Sequence, residues 1–214
     1  MQYVDLMVFD FDGTLIESGR DIAASVNYTL ETLGLSPRDS AVIMNFIGDG
    51  VQKLIERSLG ADSMSRFHEA MEIFSLHYEE HLLDSTQLYD SAIEVLLHFQ
   101  NKKKIVITNK REHFTLKIVK YFGLMEHFDE IIGADSRPYK KPDPRLLKPL
   151  FERYQISPDR TVVIGDGVND ILLARNAGAL SCALLNGLTK REALLPLNPD
   201  FCCEEISELA KLFI

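Results

Sequence analysis

Two aspartates, Asp10 and Asp12, stand where the apolar run Val4–Phe9 gives way to Gly13. Alternate residues of a strand share a face. The spacing therefore predicts that both carboxylates project together from one strand end, while Phe9 and Phe11 turn into core. Carboxylates held that close repel unless a cation stands between them. A second acidic group, Gly165-Asp166-Gly167-Val168-Asn169-Asp170, follows the apolar run Val162-Val163-Ile164 in the same way. Asp170 also stands where a helix would begin, a place where aspartate caps the free amides. Hard oxygen donors from two strand ends suit Mg²⁺, which keeps several waters and shares the oxygens of a phosphate. Thr108 closes a third apolar run, Ile105-Val106-Ile107, and can offer its hydroxyl to an anion; Asn109 and Lys110 follow it. Lys140 and Lys141 precede Pro142-Asp143-Pro144, in a loop that two prolines stiffen. A cation beside several carboxylates would hold a phosphate and relieve their repulsion.

Those residues need a frame that brings distant strand ends together. The pattern predicts strands over Val4–Phe9, Lys104–Thr108, Ile131–Gly133, Thr161–Ile164 and Cys182–Leu185. Between them it predicts helices over Ser91–Gln100, Phe114–Phe122, Leu146–Tyr154 and Ile171–Ala177, with a last helix over Glu205–Phe213. Strands alternating with helices imply βαβ units: an α/β, Rossmann-like core around a mostly parallel sheet. Open sheets of that kind bind ligands at the carboxyl ends of their strands. One stretch breaks the alternation. From about Glu17 to Asp84 the periodicity is helical throughout, and Phe67, Met71, Phe74 and Tyr78 mark one apolar stripe. The expected organisation is an all-helical domain over 17–84 inserted into a core made of 1–16 and 85–214.

Composition narrows the partners. In 214 residues, 46% are hydrophobic and 26% charged, ordinary for a globular chain large enough to bury a core without disulfides. The formal charge of −9, from 23 basic and 32 acidic residues, argues against nucleic acid and against anionic membrane surfaces. Three cysteines, Cys182, Cys202 and Cys203, do not make a disulfide framework and suit a reducing compartment. No apolar run approaches the roughly 20 residues of a membrane helix. With no basic segment ahead of an apolar one at the start, the expected location is cytoplasmic.

Taken in order, Asp10-Phe11-Asp12-Gly13-Thr14, Thr108, Lys141-Pro142-Asp143-Pro144 and Gly165-Asp166 to Asp170 resemble the motifs of the haloacid-dehalogenase-like hydrolase superfamily. Ile47-Gly48-Asp49-Gly50-Val51 and the Lys141 segment are similar to patterns of its phosphoglycolate phosphatase-like group. The resemblance makes the helical insertion a cap. It implies an aspartyl-phosphate formed on Asp10, with Asp12 as general acid and then base. It implies phosphoryl binding by Thr108, Asn109 and Lys141, and Mg²⁺ held by Asp10, Asp166 and the backbone carbonyl of Asp12. Asn169 and Asp170 would support the metal site from beside it. Glu17, Gly48 and Gly50 are candidates at the core–cap boundary or in the cap loop. The usual Pro-Gly before the helix that follows the cap is here Asp90-Ser91, a departure on the hinge side. Asp12 favours phosphate-ester chemistry over carbon–halogen cleavage, because a departing halide needs no proton. The implied activity is Mg²⁺-dependent hydrolysis of a small phosphorylated, phosphoglycolate-like metabolite by a monomer or homodimer. A phosphomutase or phosphotransferase, a pyrophosphatase on the same scaffold and a non-catalytic phospho-receiver module stay open.

Overall fold

A computed structural model describes residues 1–214. The run leading to Asp10 forms β1 (Leu6–Phe9), buried along its whole length. A tight turn follows, in which the amides of Thr14, Leu15 and Ile16 all donate to the carbonyl of Phe11. The turn delivers the chain to β2 (Ile16–Glu17), then to four helices: α1 (Gly19–Thr32), α2 (Ser40–Met44), α3 (Val51–Leu59) and α4 (Phe67–His81). The return path is β3 (Gln87–Leu88), antiparallel to β2. The remainder alternates: α5 (Ala92–His98), β4 (Lys103–Ile107), α6 (Glu112–Tyr121), β5 (Glu130–Ile132), α7 (Lys148–Tyr154), β6 (Thr161–Gly165), α8 (Val168–Ala177), β7 (Leu180–Leu184), α9 (Arg191–Leu194), β8 (Phe201–Cys203) and α10 (Leu209–Leu212).

The main sheet has the order β5-β4-β1-β6-β7-β8, and every pairing in it is parallel. Both faces are covered, so the strands are apolar on both sides. Met7, Phe9, Val106 and Ile164 join the larger core with Val95 and Leu96 of α5 and Ile118 of α6. Leu6, Val8, Ile107 and Val163 face the other layer, against Leu150 of α7 and Leu173 of α8. From β1 the order runs outward through β4 on one side and β6 on the other. The reversal leaves a crevice at the carboxyl end of β1, the place where open α/β sheets bind ligands. Phe9 is in register with Val106 and Ile164. The residues just beyond those three strands, Asp10, Thr108 and Asp166, therefore meet at that crevice.

The helical insertion packs chiefly through α1 on α4, where Ile22, Val26 and Leu30 join Phe74 and Tyr78. The stripe read along Phe67 to Tyr78 is its buried seam. A carboxylate fastens the two ends of the insertion. Asp21 of α1 is buried, and it accepts the amide of Ser85 at 3.0 Å, and the amide and hydroxyl of Thr86 at 2.8 Å each, with the Ser85 hydroxyl also on it.

Several boundaries differ from the sequence expectation. The helix read over Leu146–Tyr154 is a 3₁₀ turn at Pro144–Leu146 followed by α7. Pro149 lacks an amide proton and is tolerated only in the first turn of a helix, so a new helix starts there. The last helix likewise divides into a 3₁₀ turn, Ile206–Glu208, and α10. The β2–β3 ribbon is not legible in the sequence, because strands of two residues are too short to show a period, whereas β8 falls on Cys202 and Cys203, a pair whose adjacency points to a nearby buried strand. No helix is long and apolar enough to cross a membrane.

Candidate active site

β1 ends at Phe9, so Asp10 and Asp12 do not continue one strand face as the spacing predicts. Asp12 belongs to the following turn, and the two carboxylates have separate partners at the same crevice. Oδ1 of Asp10 accepts the Phe11 amide at 2.7 Å and lies 2.7 Å from Nζ of Lys141. Its Oδ2 has no protein partner. Oδ1 of Asp12 accepts Ser18 Oγ at 2.5 Å and Lys110 Nζ at 2.9 Å, and its Oδ2 likewise has no protein partner.

Lys141 is the hub of the buried charge. Its side chain is 2% exposed, and Nζ reaches Oδ1 of Asp170 at 2.6 Å as well as Asp10. Asp170, placed in the first turn of α8, receives the Gly167 amide at 2.9 Å on its other oxygen. Its position is thus both that of a helix cap and that of an ion-pair partner. Asp166, at the end of β6, accepts Thr14 Oγ1 at 3.0 Å and the Leu188 amide at 2.8 Å. Close approach here depends on glycine. Gly13 has φ +85°, and a Cβ on it would stand 2.2 Å from Oδ2 of Asp166. A Cβ on Gly165 would stand 2.2 Å from the carboxyl carbon of Asp170.

Carboxylate oxygens of Asp10, Asp166 and Asp170 lie within 4.8 Å of one another, all buried. Their electrostatics follow from that. Burial, then the charge of Asp170, raises the pKa of Asp10 to about 7 against the pull of Lys141. Burial, then Asp10, raises Asp166 to about 7. Asp170 is raised too, chiefly by burial, with Lys141 opposing. Burial alone would depress Lys141, but Asp10 and Asp170 outweigh it and hold the ammonium above the usual lysine range. More negative charge is gathered here than one lysine balances. Hard oxygen donors, buried and close, are a fitting set for a small divalent cation.

Thr108 is buried beside these groups. Its oxygen accepts the Lys110 amide at 3.1 Å, which leaves its proton free to donate to an anion. Asn109 is otherwise engaged: its amide donates to the carbonyls of Gly48 at 2.9 Å and Lys141 at 3.3 Å, and its oxygen accepts the Lys141 amide at 3.1 Å. That side chain sets the Lys141 loop rather than pointing at the acidic cluster. Asn169 also turns to the cap loop, donating to Asp49 at 2.7 Å and to the Gly48 carbonyl at 3.3 Å. Gly48 and Gly50, with φ +115° and +89°, let that loop lie over the crevice. Glu17 sits on β2, 4.0 Å from Arg20, and does not line the chamber.

Between cap and core lies a chamber of about 60 Å³, lined by Asp10, Asp12, Gly48, Tyr78, Thr108 and Lys110 among others. Three contributors have no role in the sequence reading: Thr14 and Lys110, which stand within its motifs, and Ser18, which lies outside them. Lys110 follows the Thr108-Asn109 pair directly, and a lysine two residues beyond the threonine that closes β4 is the signal that could have found it. The sequence places Tyr78 in an apolar helical stripe. It is buried, yet its hydroxyl accepts Lys110 Nζ at 2.6 Å, and burial ahead of all else pushes its pKa up to about 12.

The chain as a whole is similar to known proteins. The model of the haloacid dehalogenase-like hydrolase family matches residues 7–184. A phosphoglycolate phosphatase of Psychrobacter arcticus is 36% identical over 215 residues, covering 95% of this chain and 93% of the relative. One from Vibrio cholerae is 30% identical over 223 residues, with 100% and 99% covered. A crystal structure described as a predicted phosphoglycolate phosphatase from Haemophilus somnus superposes with a TM-score of 0.90 at 28% identity, covering 98% of this chain and 97% of that one. A haloacid dehalogenase-like hydrolase from Bacteroides fragilis shares the fold, with a TM-score of 0.88 at 23% identity, covering 96% of this chain and 99% of that one. The crevice, its acidic cluster and the helical insertion thus occur in a chain aligned with these proteins almost end to end, and it belongs to the haloacid dehalogenase-like hydrolase family.

Proposed function

We propose that the chain is a Mg²⁺-dependent phosphatase that hydrolyses a small phosphorylated metabolite of the phosphoglycolate type through an aspartyl-phosphate on Asp10. One observation carries this reading: Asp10, a buried residue, presents a carboxylate oxygen free of protein partners at the sheet's crevice, with Lys141 on its other oxygen and a second carboxylate, Asp12, close by on separate supports. The names of the relatives support the substrate class.

Asp10 and Asp166, with the backbone carbonyl of Asp12, would hold the metal. When bound, it would offset the charge of the phosphoryl oxygens, against which a carboxylate is otherwise a poor nucleophile. The residues do the rest. Lys141 and the Thr108 hydroxyl bind phosphoryl oxygens and align phosphorus with Asp10. Oxygen of Asp10 attacks phosphorus, the ester P–O bond breaks, and Asp12 gives a proton from Oδ2 to the departing alkoxide. Ser18 and Lys110, both on Oδ1, fix the Asp12 rotamer and leave Oδ2 for that proton. A water then attacks phosphorus as Asp12 takes its proton back. The bond to Asp10 breaks, and inorganic phosphate leaves. The cap excludes bulk water from these steps.

The test is phosphate release from 2-phosphoglycolate, pyrophosphate and a sugar phosphate, with Mg²⁺ and with chelator. The expected result is Mg²⁺-dependent release, greatest from 2-phosphoglycolate. Isomerised sugar phosphate without free phosphate, or a lasting phosphoprotein without turnover, would overturn the reading.

A further inference from the structure

We propose that Lys110 is the specificity-determining residue of this site: its ammonium, seated by Tyr78 of the cap, takes a carboxylate carried by the leaving group. The inference rests on the phosphatase reading above and adds to it the residue that selects the substrate.

Position is the first argument. Nζ of Lys110 lies 2.9 Å from Oδ1 of Asp12. A group that protonates the departing oxygen must come within about 3 Å of it. The atoms two or three bonds beyond that oxygen then fall beside Lys110. In a phosphorylated short 2-hydroxy acid, those atoms are the carboxylate.

Charge and bonding capacity are the second. The Lys110 side chain is 5% exposed. An ammonium has three donors. Asp12 and the Tyr78 hydroxyl take two of them, and the third has no protein acceptor. A buried cation with a donor to spare is an anion site when a ligand supplies the acceptor. A second cation stands next to it. Arg111 lines the same chamber, and it is the one arginine of the chain with neither an ion pair nor a side-chain hydrogen bond.

The apolar side of the chamber is the third. Ile22, Ile47, Val51, Leu54, Phe74 and Phe114 line it. These offer nothing to a sugar's hydroxyls, which would be left unpaired at a cost. The volume of about 60 Å³ fits that restriction, because a single water needs on the order of 10–15 Å³ of such space. A phosphoryl group and a few more heavy atoms fill it.

Tyr78 gives the cap its part. It lies on α4, while Lys110 and Asp12 lie on the core, so the 2.6 Å contact from Nζ to its hydroxyl crosses the boundary. The same ring stands 4.7 Å from Nζ, centroid to nitrogen. Lys110 is fully seated only with the cap over the core.

The experiment compares kcat/KM for two probes of equal length, 2-phosphoglycolate and 2-hydroxyethyl phosphate, in which CH₂OH replaces the carboxylate. The wild type is expected to prefer the carboxylate. Lys110→Met should reduce that preference about 10- to 100-fold, the range of a charge-assisted hydrogen bond. Lys110→Arg should keep much of it, and Tyr78→Phe and Arg111→Gln should each lower it less. A Lys110 that only orients Asp12 would slow both probes by one factor in Lys110→Met and leave their ratio unchanged, which would overturn the inference. So would a wild type that turns over both probes equally. If the wild type releases phosphate from neither probe, the phosphatase reading itself fails, and this inference with it. Should Lys110→Met not fold, the ratio in Tyr78→Phe decides in the same way.

Discussion

Nζ of Lys141 lies 2.7 Å from Oδ1 of Asp10 in a setting where only 2% of the lysine side chain meets solvent. The same ammonium holds Asp170 at 2.6 Å. One cation thus restrains two buried carboxylates on two segments, and the site's geometry hangs on it. Removing one partner of a buried ion pair leaves the other uncompensated, at a cost of about 3–5 kcal/mol. Lys141→Met should therefore lose that much stability in urea unfolding near neutral pH. It should lose less in acid, where Asp10 and Asp170 can take up protons instead. Equal loss at both pH values would show that packing, not charge, is what Lys141 supplies.

The acidic cluster makes stability depend on pH and metal together. In the folded chain Asp10 and Asp166 titrate at about 7, raised first by burial and then by a neighbouring carboxylate. The unfolded chain loses those protons near pH 4. Between about pH 4 and 7 the folded state binds more protons, so metal-free stability falls as pH rises through that window. A divalent ion binds the ionised carboxylates and opposes the fall. The gain in Tm on adding Mg²⁺ should be larger at about pH 8 than at about pH 5.5. A gain independent of pH would contradict the assignment of the metal to these residues.

Asp21 should prove to be the clasp of the cap. Burial pushes its carboxyl up, but hydrogen bonds from Ser85 and Thr86 outweigh that and hold it below the usual aspartate value. Its contribution is complete above about pH 4 and is lost as pH falls through the lower folded value. Asp21→Ala leaves those donors unpaired, which should cost about 2–3 kcal/mol. Exchange of the Ser85 and Thr86 amides should quicken ahead of those in β1. Unchanged exchange at these two amides would rule the clasp out.

How much of this was written legibly in the chain differs by element. β1, β4 and β6 were legible because each is an apolar run closed by a polar residue, and the parallel core follows from their alternation with helices. The helical insertion was legible through the Phe74–Tyr78 seam. The rest depends on contacts between residues far apart in sequence. Asp12 reads as a partner of Asp10 on a strand face, but the turn around Phe11 sends it to Lys110, 98 residues away. Asn169 reads as support for the metal, but the cap loop, 120 residues earlier, claims its amide through Asp49. Asp21 and Ser85 are 64 residues apart, and neither is marked by any local pattern. Tyr78 shows the limit most plainly: one residue serves both the helical seam and the charge of the site, and periodicity reports only the seam.

The central claim is that Asp10 takes the phosphoryl group, and a labelling experiment tests it most directly. The protein is mixed with Mg²⁺ and substrate labelled in its phosphoryl group, quenched in acid, and digested. The account predicts a hydroxylamine-labile label on the peptide containing Asp10, with neither label nor phosphate release in Asp10→Asn. Phosphate release by Asp10→Asn at the wild-type rate would contradict it.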